Sequence, residues 1–305
     1  MQNFKPLESP SLGVLPGLTR AGRTLFSVVQ DCAVAVRLGE GWADKRRLAS
    51  ALVGWHHAGR IPFLTGEVTT DVPLRLRAFG RRFNLWLAPD AMKNEMLVFF
   101  EIFGQHVYDV PLAFDPSVIV DLGSFIGLSP LFFTLRYPSA AVYCVEPDPG
   151  NFAALCRNTA PFPAVRRLDC AVAGQRGQRQ LYLSDTQSCG HSLYPGEVRG
   201  RSVRVACVTV NDLIDRFDLP GIDILKFDVE GAEREIFSDF PFRVPVNSLV
   251  GELHLSPADE AAFARKFSDR GYQVTLSRDE FLGLTMFRAV LSDHQAPKAG
   301  AATVQ

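Results

Sequence analysis

The sequence predicts an α/β protein built on an open, mostly parallel sheet with helices on both faces. From about residue 115 onward, short apolar runs of strand length alternate with segments of helical periodicity. This alternation is typical of parallel sheets, because each pair of parallel strands needs a crossover connection. Before that region, helical patterns at 24–36 and 43–57 follow each other with no strand between them. They predict a separate helical segment in front of the sheet.

We therefore expect three regions along the chain. Residues 1–70 form an N-terminal helical appendage. About the first 22 of these residues are rich in Pro, Gly and Ser, and we expect them to be flexible. Residues 71–291 form the main domain. Residues 292–305 are polar and rich in small side chains, which is typical of a disordered tail.

The elements of the main domain follow from the apolar patterns and the residues that interrupt them. In chain order we expect a β-hairpin at 72–87, a helix at 94–104, a strand from 118, a helix from 128, a strand at 141–145, a helix at 150–159, a strand at 165–172, an antiparallel pair at 179–183 and 202–208, a strand at 222–228, a helix through 236–240, a strand within 245–255, a helix after 256, and strands at 272–276 and 282–291.

Composition and net charge argue against some classes of binding partner. The chain has 305 residues, 47% of them hydrophobic and 21% charged, with a net charge of −1. This net charge is too small to create a long-range electrostatic field that would attract nucleic acid or an anionic membrane. We therefore expect no nucleic-acid partner. No apolar run reaches the roughly 18 residues that a membrane-spanning helix requires, so we expect no membrane span.

The six cysteines indicate a reducing compartment. They are scattered through the sequence with no C-x-x-C pair, and most lie in apolar runs. Such cysteines are typical of buried, reduced thiols and not of a disulfide framework or a zinc site. The sequence therefore predicts a cytoplasmic protein.

The stretch that organises the main domain is 118–127, VIVDLGSFIG. A buried strand ends at Asp121, a turn carries Gly123 and Gly127, and a helix begins at Leu128. Ligands bind beyond the carboxyl ends of strands in open α/β sheets, and glycines let the backbone approach them closely. The pattern lacks the third glycine of the dinucleotide fingerprint G-x-G-x-x-G, so a ligand without phosphates is favoured over NAD.

The next strand, 141–145, ends in Glu146, about 20 residues beyond the glycines. A carboxylate at this place can accept hydrogen bonds from both hydroxyls of a ribose. The structural alternative is that Glu146 is an exposed strand end without a ligand.

Three stretches together resemble the FkbM family of S-adenosylmethionine (SAM)-dependent methyltransferases. They are 120–127, 145–152 and 224–233, and the last of them, ILKFDVEGAE, is the most specific. The likeness covers roughly residues 72–290. It implies a class I, Rossmann-like methyltransferase domain with a mostly parallel seven-stranded sheet whose last strand is reversed. It also implies O-methylation of a hydroxyl on a sugar, glycan or secondary metabolite.

The resemblance further implies which residues contact the cofactor. The positions are Asp121, Gly123, Ser124, Gly127, Glu146 and Asn151. The glycine turn and the preceding acid would surround the methionine part of SAM, Glu146 would hold the ribose, and Asn151 would lie near the adenosine. The chain departs from the family at Ser124-Phe125, where most members have Ala-Asn, so an amide contact is missing.

Acidic residues after two later strands provide candidates for catalysis. Asp228 and Glu230 follow the strand at 222–228, and Glu252 and His254 lie at the end of the next. Close carboxylates cannot all stay ionised without compensation, so either their pKa values rise or a cation binds. Two mechanisms stay open: Mg²⁺ held by Asp228, Glu230 and Glu252, or metal-free catalysis with His254 or Asp228 as base. We expect Glu233, further along, to be a solvated charge.

Two other functions remain open. The first is an N-methyltransferase, which would need a deprotonated, desolvated amine and no metal. The second is a catalytically inactive SAM-binding or scaffold protein, which would keep its role after loss of Asp228. We expect a small-molecule or glycan acceptor, with a pocket formed by segments 24–70 and 184–202. The oligomeric state stays open, a homo-oligomer included.

Overall fold

A computed structural model describes most of the chain. The described residues are 20–56, 72–87, 92–184, 190–195, 201–278 and 285–294. The chain divides into two compact units, residues 1–107 and 108–305. The proposed limits of the appendage, the methyltransferase domain and the tail stay predictions. Within the described residues, none of the helices has the length and hydrophobicity needed to cross a lipid bilayer.

The first unit contains two helices, a hairpin and a further helix, as the sequence predicts. Its elements are α1 (Arg20–Leu38), α2 (Trp42–His56), β1 (Leu74–Ala78), β2 (Arg81–Leu85) and α3 (Met92–Phe99), which continues as a π-helical turn over Phe100–Gly104. Alternate residues of β1 are buried, which is the pattern of a strand with one covered face. The buried carboxylate of Asp44 pairs with Arg75 at 3.0 Å and links α2 to β1.

The second unit is organised around a seven-stranded sheet. Its strands are β3 (Val118–Leu122), β4 (Ala141–Val145), β5 (Val165–Leu168), β9 (Ile224–Phe227), β10 (Ser248–Leu253), β11 (Tyr272–Arg278) and β12 (Thr285–Leu291). They lie in the order β11-β12-β10-β9-β3-β4-β5. Six of these strands point the same way, and β12, which pairs antiparallel with both β10 and β11, points the opposite way. The predicted mostly parallel sheet with a reversed last strand is confirmed.

Helices connect the strands of the sheet. They are α4 (Leu128–Arg136), α5 (Pro149–Thr159), α6 (Val210–Phe217), α7 (Glu233–Ile236) and α8 (Pro257–Ser268). Helix α8 begins as predicted, with the Ser256 side chain accepting the Asp259 N–H and Pro257 at the first helical position. Aromatic side chains fill the core beside β9 and β10, where Phe227, Phe263 and Phe287 contact one another.

Three segments differ from the sequence prediction. The strand expected at 165–172 breaks at Asp169, and its second half, β6 (Ala171–Val172), joins a separate three-stranded sheet with β7 (Gly177–Tyr182) and β8 (Ser202–Val208). The predicted antiparallel pairing of β7 and β8 is confirmed. Helix α6 was not predicted. Helix α7 is shorter than expected and gives way to a 3-10 turn at Phe237–Asp239.

Candidate active site

The glycine turn (residues 123–127) begins directly after β3 and lies against the end of β4. The N–H groups of Gly123 and Ser124 both donate to Val145 O at 3.0 Å. Gly123, Phe125 and Gly127 have φ values of +76°, +51° and +94°, so the backbone is left-handed at three positions within five residues. This conformation makes the turn tight enough to start α4 immediately above the sheet edge.

Glu146 is fixed at the end of β4 by two backbone donors. Its Oε2 accepts the N–H of Phe125 at 2.8 Å and its Oε1 accepts the N–H of Asp148 at 2.9 Å. The side chain is only 5% exposed, so the alternative of an exposed strand end does not fit. Burial raises the pKa of Glu146 to about 7, although both N–H donors oppose the shift. The carboxylate therefore joins the glycine turn to the start of α5.

A buried ion pair lies beneath the turn. Lys226, on β9, places its Nζ 3.1 Å from Asp121 Oδ1, and it also donates to the backbone oxygen of Gly123. The other oxygen of Asp121 accepts the hydroxyl of Ser129 at 2.7 Å. Burial acts to lower the pKa of Lys226, but the charges of Asp121 and Asp228 outweigh it and raise the pKa. Removing one partner of such a pair costs about 3–5 kcal/mol, because the other charge would be left buried and uncompensated.

Asp228 is the first residue after β9, and its backbone packs on the glycine turn. Its N–H donates to Leu122 O at 3.0 Å. One carboxylate oxygen, Oδ2, lies 3.4 Å from the hydroxyl of Tyr108, whose ring is also 5.2 Å from the ammonium of Lys226. The other oxygen, Oδ1, is buried and has no hydrogen-bond partner among the described residues. A buried carboxylate oxygen with unused lone pairs is well suited to accept a proton or a hydrogen bond from a ligand.

Next to Asp228 lies a group of charged side chains that we call the acidic cluster. Its members are Asp228, Glu230, Glu233, Glu252 and His254. The imidazole Nδ1 of His254 is 2.8 Å from Glu233 Oε1, while Nε2 is 3.4 Å from Glu230 Oε2 and 3.7 Å from Glu252 Oε2. The histidine is thus surrounded by carboxylates.

This surrounding sets the charge of His254. Burial acts to lower its pKa, but the hydrogen bond with Glu233 and the charges of Glu230 and Asp228 outweigh it and raise the pKa to about 10. The ring is therefore protonated at neutral pH in the absence of a metal. A protonated ring cannot accept a further proton, so of the two bases that the sequence proposes, the geometry favours Asp228.

Glu230 has an uncommon backbone conformation. Its φ is +50°, and the following Gly231 has φ +94°. The hydroxyl of Ser192 donates to the Glu230 backbone oxygen at 2.7 Å and holds this turn from the neighbouring loop. Burial raises the pKa of the Glu230 carboxyl to about 7, although His254 opposes the shift. Non-glycine residues in this conformation cluster at functional sites.

The two remaining predicted residues are both buried. The Ser124 hydroxyl is 3.2 Å from Asp121 O and the side chain is 1% exposed. Asn151 lies in the first turn of α5, where its N–H donates to the Asp148 carboxylate at 2.8 Å. Each therefore helps to shape the rim of the glycine turn.

Three metal-ligating atoms converge in the acidic cluster. One atom each from Asp228, Glu252 and His254 lie within 4.8 Å of one another. The sequence expected Glu230 in place of His254 in such a group.

Sequence reasoning missed three residues of the site. The expectation that Glu233 is solvated was wrong, because its side chain is 0% exposed and pairs with His254. Tyr108 and Lys226 were not proposed as site residues. The signal for Lys226 was a single lysine inside an otherwise apolar strand, ILKF, which requires a buried anionic partner.

The fold is that of the class I methyltransferases, which take their methyl group from SAM. In this class a mostly parallel sheet has one reversed strand, and the ligand binds at the edge where strands such as β3 and β4 end. The model of the methyltransferase FkbM domain matches residues 121–274, from β3 into β11. This range contains the glycine turn and the acidic cluster. The chain belongs to the FkbM methyltransferase family and is a SAM-dependent methyltransferase.

Curated proteins support the same assignment. The chain is 27% identical over 218 residues to "Methyltransferase sdnD" of Sordaria araneosa, covering 60% of this chain and 84% of that protein. It is 23% identical over 215 residues to "31-O-demethyl-FK506 methyltransferase FkbM" of Streptomyces tacrolimicus, covering 59% and 82%. It is 28% identical over 140 residues to "2-O-methyltransferase NoeI" of Sinorhizobium fredii (strain NBRC 101917 / NGR234), covering 41% and 57%.

Proposed function

We propose that this enzyme transfers the methyl group of SAM to a hydroxyl on a sugar, glycan or secondary metabolite. The observation that carries the proposal is the carboxylate of Asp228, which lies beside the glycine turn and has a buried oxygen without a hydrogen-bond partner in the described part of the chain. A hydroxyl must lose its proton during or after attack, and a carboxylate so placed can take it. Two of the relatives carry O-methyl chemistry in their names, which supports an oxygen acceptor.

The cofactor would lie across the ends of β3 and β4. Gly123 and Gly127 allow the backbone to approach the methionine part closely, and Ser124 and Asp121 support that backbone from behind. Asn151, in the first turn of α5, would flank the adenosine. In this assignment Asp121 acts through its ion pair with Lys226 and not by direct contact.

Glu146 would bind the ribose. Each of its oxygens already accepts one backbone N–H, and each retains a second acceptor position. The two ribose hydroxyls can fill those positions, so the hydroxyl contacts add to the backbone contacts without replacing them. Hydrogen bonds to a charged group contribute about 1.5–3 kcal/mol each, which makes Glu146 a principal anchor.

The transfer itself is an in-line displacement at the methyl carbon. SAM, when bound, would supply an electrophilic methyl group that the acceptor oxygen would displace from the sulfur, with S-adenosylhomocysteine (SAH) as the leaving group. Asp228 receives the hydroxyl proton, and Tyr108 hydrogen-bonds to the second carboxylate oxygen. The protonated ring of His254 offsets part of the negative charge of Glu230, Glu233 and Glu252. Positioned general-base catalysis of this kind contributes roughly 10²–10⁴-fold.

A divalent cation in the acidic cluster is a second candidate mechanism. The convergent atoms of Asp228, Glu252 and His254 favour it, and Glu230, with an ionisable carboxylate 3.4 Å from the ring, could complete the set. Mg²⁺ prefers an all-oxygen set, whereas an imidazole ligand suits Mn²⁺ or a similar ion. Such a cation would compete with the proton on His254, so metal-dependent and metal-free catalysis exclude each other at this position.

The remaining expectations concern the setting of the reaction. We propose a cytoplasmic enzyme with a small-molecule or glycan acceptor. The five cysteines within the described ranges are free thiols, which supports a reducing compartment. The absence of a nucleic-acid partner and the formation of a homo-oligomer stay predictions.

The cofactor assignment is tested by isothermal titration calorimetry with SAH. We expect binding to the wild type and its loss in Glu146→Ala, while Asp115→Ala, which removes an exposed carboxylate, binds as the wild type does. The titration is repeated with Mg²⁺ and with Mn²⁺. Equal binding by the wild type and Glu146→Ala would contradict the ribose assignment.

The acceptor class is tested by methyl transfer from radiolabelled SAM to matched panels of hydroxyl-bearing and amine-bearing acceptors. Transfer to hydroxyl compounds only, lost in Asp228→Asn, supports the proposal. Transfer to amines, or a rate that Asp228→Asn leaves unchanged, would overturn it. Addition of EDTA separates the two mechanisms, because only the metal-dependent one loses activity.

A further inference from the structure

Glu233 is a fully buried carboxylate at the start of α7. Its side chain is 0% exposed, and its Oε2 has no hydrogen-bond partner among the described residues. Its Oε1 is 2.8 Å from Nδ1 of His254 and 3.4 Å from the N–H of Gly231. Burial of a carboxylate is unfavourable unless an opposite charge compensates it. The 2.8 Å contact with Nδ1 of His254 is the shortest polar contact that the described residues give this carboxylate, so the position of Glu233 is understood only together with the histidine.

The contact with Glu233 fixes which way the imidazole faces. Nδ1 makes the short contact, so Nε2 is directed at Glu230 and Glu252, which are 3.4 Å and 3.7 Å away. These two distances are too long for strong hydrogen bonds, so they do not orient the ring. A ring flipped by half a turn would place a C–H group against the buried carboxylate of Glu233 and leave it with only the 3.4 Å contact to the Gly231 N–H.

We propose that Glu233 is a positioning residue, which locks the imidazole of His254 so that Nε2 faces the carboxylates beside Asp228. The proposal deepens the proposed function and rests on it where it concerns catalysis. With the ring locked, Nε2 stays next to Glu230 and Glu252, on the side of the cluster where Asp228 lies. If the ring could turn, Nε2 would leave these carboxylates and a C–H group would take its place.

The test uses the full chain with ¹⁵N-labelled histidine rings, studied by NMR. The chain has six histidines, and His254→Gln identifies the ring of interest. We expect a wild-type ring with a protonated, hydrogen-bonded Nδ1. Glu233→Gln keeps an acceptor without the charge, so the Nδ1 resonance should shift while the ring stays ordered. Glu233→Leu removes the acceptor, and the ring signal should be lost or averaged.

The matched control is Glu235→Gln. Glu235 lies on the same helix but pairs with Arg179 and Tyr194, so its substitution should leave the His254 signals in place. An Nδ1 without a proton in the wild type, or the same Nδ1 resonance in Glu233→Gln as in the wild type, would overturn the proposal. Glu233→Gln is close in size to glutamate, so a folding failure of Glu233→Leu does not decide the outcome.

Two further readouts separate this proposal from the proposed function. SAH affinity should be the same in the wild type and in Glu233→Gln, because Glu233 does not touch the glycine turn. Turnover of a hydroxyl acceptor should fall through kcat, with the KM for SAM unchanged. Failure of SAH to bind the wild type would reject the proposed function, yet the ring measurement would still decide whether Glu233 locks His254.

Discussion

The α-carbon of Gly123 lies against the backbone carbonyl of Asp228, so closely that a β-carbon at residue 123 would be 1.9 Å from that oxygen. The glycine belongs to the turn that we assign to the cofactor, and the aspartate is the proposed base. The two therefore touch through their backbones, and neither can move without the other. This contact would fix the distance between the proposed cofactor site and the proposed base.

Gly123→Ala should abolish SAH binding and destabilise the protein. The β-carbon would force β9 away from the turn, and φ +76° adds about 1–2 kcal/mol for any residue with a side chain. Gly271→Ala is the control, because φ is +83° there and nothing lies near the added carbon. Chemical denaturation and SAH titration are the measurements. Similar losses of stability in both variants would show that the contact with Asp228 is unimportant.

SAH affinity should depend on pH through Glu146. The pKa of this carboxyl is raised to about 7 in the free protein, and only the ionised form can accept both ribose hydroxyls. Affinity should therefore be highest above pH 7 and fall by roughly tenfold for each pH unit below it. In Glu146→Gln the affinity should be weaker and independent of pH over this range. If SAH affinity fell equally steeply with pH in Glu146→Gln, the pH dependence would have to come from another group.

Glu230→Gly should make the protein more stable and less active. The left-handed φ of +50° costs a residue with a side chain about 1 kcal/mol, which glycine avoids. Asp218→Gly is the matched control, because Asp218 also has φ +50° but is exposed at the end of α6. Both variants should unfold at higher denaturant concentration, and only Glu230→Gly should transfer methyl groups more slowly. Full activity in Glu230→Gly would mean that the strain serves no catalytic purpose.

Tyr108→Phe should slow the transfer without weakening cofactor binding. The substitution removes the hydroxyl 3.4 Å from Asp228 Oδ2 and keeps the ring near Lys226. Loss of a hydrogen bond worth about 1 kcal/mol corresponds to roughly a fivefold lower kcat. Tyr137→Phe is the comparison, because it removes a similar 3.4 Å contact, with Asp109. Steady-state kinetics decides, and an unchanged kcat in Tyr108→Phe would exclude a role for the hydroxyl.

The parallel part of the fold could be predicted because its strands are short apolar runs that end in polar residues. Helix α6 was missed although its start has a capping box, in which Thr209 and Asp212 bond reciprocally. The strand predicted at 165–172 was wrong because the apolar pattern does not reveal that Val165 and Val172 pair with different sheets. Partner choice depends on distant segments, which a local pattern does not contain.

The charged residues of the site were found by motif, but their partners were not. The run from Asp228 to Glu233 gave no sign that Glu233 is buried, because its burial depends on His254, which is far along the chain. Likewise, Tyr108 reaches Asp228 only through the folded backbone. A sequence shows which groups can ionise, whereas their pKa values depend on neighbours that only the fold brings together.

The position of β12 has a consequence for biosynthesis. This strand lies between β10 and β11 and pairs with both, yet it is the last of the seven to leave the ribosome. Until residue 291 has been synthesised, β10 and β11 each present an unpaired edge to solvent or to a chaperone. A nascent chain can thus assemble β3, β4 and β9 early, but β10 and β11 stay open to edge-to-edge association until β12 has been synthesised and pairs with them.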